Sequence, residues 1–348
     1  MASVDIYSAI NTYVVYKEET AWGAAATPAG TDYIDRVTSI NCTMKNNRQR
    51  FNAIGEGANA TSTTNGSVEI SGSITAQLTN AAFFKYLIVG DIEANTGTES
   101  DPSDINEVNV IGYTADVNCP SITIEFGNNG TVDDVIKLDG VTFSSWRLSC
   151  KVGEPVTWNA DYRARYATRA ASGALTYTAP TDRPLCFIDG TLVVGSDTVL
   201  RVDSFEISGN NNINYYYNLG SRFLAQPTMG TRRYDFTITV LHSADTTASK
   251  LSGVEIRELL MGAASSTVFS ASGAPDEFGD MTLTLTEGST SGDNTIEFQF
   301  ENCYLEEISE PIEIGDTGGP IMLTITGYAL SGLTNSTVKT PIEYYTHT

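Results

Sequence analysis

Two adjacent carboxylate pairs, Asp133-Asp134 and Glu306-Glu307, are the residues best supplied for acid–base chemistry. The run Asp276-Glu277-Phe278-Gly279-Asp280 is the one best supplied for a divalent cation. Neither is arranged for its task. Neighbours on a strand point to opposite faces, so an adjacent pair makes no shared-proton dyad. The acidic run lacks the D-x-[DN]-x-[DN]-G spacing of a calcium loop and reads as a solvated turn. Acids from different strands could still meet, as in a glycosidase. His242 and His347 are the only histidines, which leaves imidazole catalysis and histidine metal sites poorly supplied. Cys42, Cys119, Cys150, Cys186 and Cys303 include no C-x-x-C pair and read as free thiols of an intracellular protein. The chain contains no G-x-S-x-G elbow, no H-E-x-x-H and no phosphate-cradling G-x-x-x-x-G-K-[ST]. The expectation is a protein that is not an enzyme, with no cofactor and no metal.

Charge narrows the partners. Lys plus Arg is 20 against 42 Asp plus Glu, a formal charge of −22. A phosphate-binding groove needs clustered cations, so a conventional nucleic-acid binder is not expected. With 41% apolar and 18% charged residues the composition is globular rather than disordered. No apolar run reaches the roughly 18 residues of a membrane helix and no leader pattern opens the chain, so neither a membrane anchor nor secretion is expected. The acid excess fits a solvated surface, and also a wall that must not hold on to DNA.

Comparison of the 348 residues with themselves supplies the architecture. Arg36-Val37-Thr38-Ser39-Ile40 returns 165 residues later as Arg201-Val202-Asp203-Ser204-Phe205. At nearly the same shift, the segment from Gly66 to Thr75 runs beside Gly230 to Thr239. Phe84 to Gly90 parallels Ile256 to Gly262, Ile122-Thr123-Ile124 matches Leu283-Thr284-Leu285, and Ile136-Lys137-Leu138 matches Phe298-Gln299-Phe300. The order is kept, with offsets between 161 and 172. We read two tandem copies, 1–180 and 181–348, joined through the Ser/Ala/Thr/Pro-rich stretch from Ala170 to Pro184.

Within each copy apolar residues mostly alternate with polar ones, the period of a half-buried strand. Val68, Ile70, Ile74 and Leu78 alternate in this way, as do Tyr234, Phe236, Ile238 and Val240; Trp146, Leu148, Cys150 and Val152 form another run, and Ile321, Leu323 and Ile325 a fourth. One helix interrupts each copy. The first is bounded by Asn80 as N-cap and Gly90 at C′, with Phe83/Leu87 and Phe84/Ile88 stacked at i,i+4; the second turns Leu251, Val254, Leu259 and Leu260 inward and ends at Gly262. Each copy is therefore expected to be a β-sandwich with one flanking helix, mainly β in an α+β arrangement. Each also carries a long polar segment, Cys42 to Asn65 and Ile207 to Met229. A structureless loop that long is unusual in a compact domain, so a protruding hairpin or arm that orders against another subunit is expected.

The opening Tyr13-Val14-Val15-Tyr16-Lys17-Glu18-Glu19-Thr20-Ala21-Trp22-Gly23 resembles the strand, Glu-Glu-Thr, aromatic, Gly start of phage tail tube proteins, the major tail proteins of long-tailed phages and related archaeal viruses. The likeness continues through Arg201 to Gly220, into Gly220-Ser221-Arg222, and over the strand-then-helix unit that ends at Gly262. The stretch Ile92 to Val117 and the doubled length depart from that pattern. The resemblance implies a structural virion protein of the tail, assembled in the host cytoplasm, with a non-contractile tail favoured. Its rings would stack into a hollow tube that houses the tape-measure protein, meets terminator or tip proteins, and passes double-stranded DNA without binding it. With two tube domains per chain, three chains would make a pseudo-hexameric ring; a hexamer of chains is the alternative. A carbohydrate-binding or adhesin-type sandwich, presenting Tyr215-Tyr216-Tyr217, and a capsid decoration or collar protein are the other classes. In the tube reading Glu69, Ser71, Ser73, Thr75 and Gln77, with Arg233, Asp235, Thr237 and Thr239, face the lumen. Arg48, Arg50, Phe51, Ile54, Tyr215, Tyr216, Tyr217, Arg222 and Phe223 form inter-ring arms, the arginines meeting carboxylates on a neighbour.

Overall fold

The computed structural model describes residues 12–51, 62–79, 82–88, 91–93, 104–109, 119–128, 135–170, 175–244, 249–262, 268–269, 278–287, 295–310, 320–330, 333–334, 337–338 and 342–347. The chain is mainly β. Its first half runs β1 (Thr12–Glu18), β2 (Arg36–Phe51), β3 (Ser62–Gln77), α1 (Phe84–Leu87), β4 (Asp91–Glu93), β5 (Asp104–Asn109), β6 (Ile122–Asn128), β7 (Val135–Lys151), β8 (Thr157–Ala164) and β9 (Tyr166–Ala170). The second half runs β10 (Gly190–Val194), β11 (Asp197–Val199), β12 (Val202–Asn210), β13 (Arg233–Leu241), β14 (Lys250–Leu251), α2 (Gly253–Leu260), β15 (Gly279–Thr286), β16 (Thr295–Ser309) and β17 (Met322–Ala329). The small hairpin β18 (Leu333–Thr334) and β19 (Thr337–Val338), then β20 (Ile342–His347), follow.

The strand ladders of the halves match. In the first, β2 pairs β3, β3 pairs β8 and β8 pairs β7. In the second, β12 pairs β13, β13 pairs β17 and β17 pairs β16. An antiparallel β7–β12 ladder joins the two blocks into one sheet of eight strands, ordered β2-β3-β8-β7-β12-β13-β17-β16. The long strands β7 and β16 bend out of this sheet. Their N-terminal parts form a second layer, β1–β6–β7–β9 in the first half and β10–β15–β16–β20 in the second. The Ile92–Val117 stretch contains β4 and β5, and β5 pairs with β20, so this part of the first half extends the second half's layer.

The apolar members of each alternation meet between the layers. Ile70, Ile74, Trp146, Leu148, Trp158, Tyr162, Phe205, Ile207, Phe236, Ile238, Leu323 and Ile325 are all buried, in one cluster that runs through both halves. Val152, expected to extend the Trp146 run, sits instead in the turn after β7 and is exposed. The first helix is a single turn. Phe83 takes the N-cap position without a side-chain cap, and Asn80 and Gly90 lie outside the described residues. Its Phe83 stacks on Trp158 at 5.3 Å, and Phe84 meets Trp146 at 5.8 Å and Phe298 at 5.2 Å. In α2 the cap is a Ser252–Glu255 capping box, and Ile256 is the buried apolar side chain. Leu251 belongs to β14 rather than to the helix face.

One match moves. The ladder places Ile124 opposite Leu138 and Met281 opposite Phe300, so the equivalent of Ile124 is Met281, not Leu285. Period-two sequences specify a face but survive a slip by an even number of residues, which is how Ile-Thr-Ile came to align with Leu-Thr-Leu.

The Glu-Glu-Thr start is a structural joint. Glu18 accepts from Lys85 Nζ at 2.6 Å and Tyr86 Oη at 2.9 Å, tying β1 to α1. Burial alone would raise the Glu18 carboxyl, but these two hydrogen bonds hold it below its ordinary value. Glu19 is buried and accepts from Ser121 Oγ (2.6 Å), Thr123 Oγ1 (2.9 Å), Gly23 N (2.9 Å) and Gly140 N (2.8 Å). Gly140 has φ +65°, a conformation that suits glycine, and its N–H is thereby turned toward the carboxylate. A second buried acid, Asp35, accepts from Trp158 Nε1 at 2.7 Å and Thr79 Oγ1 at 2.9 Å. Replacing Glu19 with Ala strands several buried donors at roughly 1–3 kcal/mol each. The Glu19→Ala chain should therefore lose at least about 3 kcal/mol of stability in urea unfolding, and Glu19→Gln, which keeps one acceptor, distinctly less.

Candidate assembly surface

The outer face of the eight-stranded sheet is polar from edge to edge. One row of laterally paired residues reads Ser39, Thr75, Asn159, Arg147, Ser208, Asp235, Tyr328 and Tyr304, one from each strand. The next row inward-facing reads Ile40, Ile74, Ala160, Trp146, Gly209, Tyr234, Ala329 and Cys303. Paired residues in an antiparallel ladder share a face. Ser71, Ser73, Thr75 and Gln77 therefore lie on the same surface as Arg233, Asp235, Thr237 and Thr239, as does Glu69.

Charges on this surface are matched. Arg147 pairs with Glu206 at 3.3 Å, Arg163 with Glu69 at 3.6 Å, and Arg233 with Asp235 at 2.7 Å. Such exposed pairs are worth about 0–1 kcal/mol each, so they set local neutrality more than stability. The expectation of an acidic wall is corrected here: the face carries hydroxyls, amides and balanced charge. The chain's acid excess lies mainly elsewhere.

The first polar segment is a hairpin. Strands β2 and β3 stay paired from Arg36↔Gln77 to Phe51↔Ser62, with irregularities at Val37/Ser39 and Asn46/Arg48. Ile40 and Cys42 still touch the core, but Met44, Lys45, Arg48, Arg50 and Phe51 are exposed, so the ladder outruns the core it started on. At about 3.3 Å per residue, the part beyond Cys42 projects roughly 30 Å along the strand. Ile54 lies outside the described residues.

The second polar segment docks within the chain. Ile207 belongs to β12, and the excursion between β12 and β13 is held by isolated bridges Asn214↔Thr228 and Tyr217↔Leu224. It covers the edge of β3 where β8 stops: Val68 N donates to Arg222 O at 2.8 Å, and Arg222 Nε donates to Gly66 O at 2.9 Å. Arg222 Nη2 reaches Asn46 Oδ1 at 2.8 Å, and Tyr217 Oη reaches Val68 O at 2.9 Å. Phe223 packs edge-on against Tyr166 at 4.9 Å. Tyr215 is turned inward to Thr142 under the Arg163 guanidinium, and burial pushes its phenol up to about 12. Only Tyr216, Tyr217 and, fully, Leu219 remain exposed among these apolar side chains.

Two corrections follow. Arg222 meets a carbonyl and an amide of its own chain rather than an acid of a neighbour. The three tyrosines also make no common exposed platform, since Tyr215 faces the interior. Sequence inspection also missed Asn211, whose buried amide donates to Leu87 O at 2.7 Å and Phe143 O at 2.8 Å and pins the start of the excursion. Its only signal was the Asn-Asn match to Asn46-Asn47.

None of the five cysteines is bonded to another. Burial pushes the Cys119 and Cys150 thiols up to about 12, which makes them poor nucleophiles. Among the described residues no group of three His, Cys, Asp or Glu side chains converges as a metal site. Removing the docking cation should free the excursion: Arg222→Ala is expected to speed limited proteolysis at the Asn218–Ser221 turn several-fold, with little change in far-ultraviolet circular dichroism.

Comparison with known proteins agrees with this surface. No curated protein matches the chain. Among solved structures, the cap of the anti-feeding prophage (AFP tube terminating cap) aligns at 15% identity with a TM-score of 0.31, covering 45% of this chain and 95% of that one. A family profile described as "Phage tail tube protein" matches residues 9–329. The chain, a mainly β structural component of a virion tail, belongs to the phage tail tube protein family.

Proposed function

We propose that this protein assembles into stacked rings that form the hollow tube of a tail, with the polar face of the eight-stranded sheet lining the lumen. The observation that carries this reading is the sheet itself: two four-strand blocks in the same order, joined side by side, with one face of hydroxyls and paired charges. Such a wall offers the DNA backbone neither a patch of unpaired cations nor apolar ledges, so a duplex slides past it. Tape-measure protein fills the tube before DNA does, and terminator and tip proteins close its ends; assembly takes place in the host cytoplasm.

Two repeated blocks per chain support three chains per ring, giving a homotrimer with pseudo-sixfold symmetry. The projecting β2–β3 hairpin then reaches the next ring. Its exposed Phe51 and Met44 supply apolar contact, at about 25 cal/mol per Å² before ordering costs, and Arg48 and Arg50 supply register.

Negative-stain images of the purified protein should show tubes, and averages of single rings should show three chains. Six chains per ring would overturn the stoichiometry, and a monomer that never polymerises would overturn the tube. Cysteines placed at Ser73 and Thr237 should react with a bulky thiol reagent in free subunits and be shielded in tubes; equal labelling puts this face outside. Deleting residues 46–64 should leave a folded subunit that forms rings but no long tubes.

A further inference from the structure

We propose that copies of this chain join by strand addition, the outer edge of β2 in one copy pairing antiparallel with the outer edge of β16 in the next, with Lys45 opposite Glu307. This deepens the tube reading and rests on it. The argument comes from a joint the chain already contains.

Inside one chain the blocks meet through β7 and β12, in the register Asn210↔Ser145, Gly209↔Trp146, Ser208↔Arg147 and Ile207↔Leu148. The counterpart of β12 in the first block is β2, and the counterpart of β7 in the second is β16. The irregularities in their ladders set the equivalence residue by residue. The β2–β3 ladder slips at Val37/Ser39 as β12–β13 does at Val202/Ser204, and β7–β8 slips at Phe143/Ser145 as β16–β17 does at Leu305/Glu307. Lys45 thus holds the place of Asn210, and Glu307 that of Ser145. Thr43 stands for Ser208 and Ser309 for Arg147.

Among the described residues no strand pairs with the outer edge of 36–46 in β2 or of 304–309 in β16. Each block therefore ends on the edge that its counterpart uses. A free edge of this length, with its row of unsatisfied N–H and C=O groups, is a template for another strand.

The side chains agree with the pairing. In the internal joint Trp146 needs a glycine opposite, because a Cβ on Gly209 would strike its indole. In the external joint the sizes are redistributed: Ile308 replaces the tryptophan and Met44, half exposed in the single chain, replaces the glycine. Charge selects the partner. Lys45 stands on the β2 edge, with Arg48 and Arg50 beyond it, while Glu306 and Glu307 stand on the β16 edge, all exposed. Two β2 edges repel, two β16 edges repel, and unlike edges attract.

The phase of the ladder is also set. Asn211 N donates to Ser144 O and Val152 N to Asp203 O, both at 2.9 Å, so Ser208–Arg147 and Asn210–Ser145 are the close, non-hydrogen-bonded pairs. By equivalence Thr43 and Ser309 approach to a Cα separation of about 4.5 Å, within reach of a disulfide.

The test is a Thr43→Cys/Ser309→Cys full-length chain, polymerised and mildly oxidised beside wild type, which reports the background of the native thiols. A chain-to-chain crosslink is expected, ending in a closed species on non-reducing gels. The pair Thr43→Cys/Glu307→Cys, displaced by two residues, should crosslink at least tenfold more slowly. Normal tubes with no Thr43–Ser309 crosslink, or with faster reaction of the displaced pair, would overturn the register and leave the tube reading standing. Wild-type protein that forms no tubes would remove both. If the cysteine pair itself blocks assembly, charge reversal decides. Lys45→Glu should raise the concentration needed for assembly about tenfold, and adding Glu307→Lys should restore it; no rescue overturns the pairing.

Discussion

Backbone hydrogen bonding between β7 and β12 is the constraint on which the rest of the molecule depends. Without that ladder, each half would be a four-stranded sheet with two open edges and half a core. With it, Trp146 in the first block packs against Tyr234 in the second, and Phe84 of the first helix reaches Phe298. Asn211, at the exit of β12, ties α1 and β7 to the same joint. A boundary near residue 180 therefore divides the sequence into two similar texts without dividing the core into two bodies. Arg36 Nε, donating to Asp182 O at 2.8 Å, even fastens the connecting stretch back onto the first block.

What could be read in advance was whatever depends on local alternation. Residues 67–78 and 231–241 declare their buried and exposed faces through period two alone, and the structure places those faces as the pattern implies. Pairing partners were another matter. Glu19 is joined to Ser121, Thr123 and Gly140, more than a hundred residues away in sequence, so its motif announced a family without disclosing a mechanical role. The two polar segments were legible as unusual, because length and composition are local. Their fates differ because the β3 edge that receives the second lies within the same chain, and nothing in residues 207–229 says so.

Net charge was the least transferable of the sequence quantities. A total of −22 invites the picture of a uniformly acidic wall. Arginine is scarce in this chain, yet Arg147, Arg163 and Arg233 all sit on the one broad sheet face, each beside an acid. A field is made by where charges sit, and at ionic strengths near 0.15 M the acids on other surfaces are screened beyond about 8 Å. The sheet face therefore presents its own balance, largely independent of the rest of the molecule.

The pairing of β5 with β20 sets a demand on how the chain folds. Residues 104–109 must wait for residues 342–347 before their ladder can close, although each lies in a different half. Contacts of such sequence separation carry the loop-closure entropy that slows folding. During synthesis the first half would emerge and build most of its core while this part of its sheet stayed open. A chain interrupted before β20 would keep an unfilled strand position on the second layer, so completion of the polypeptide becomes a condition for a finished subunit.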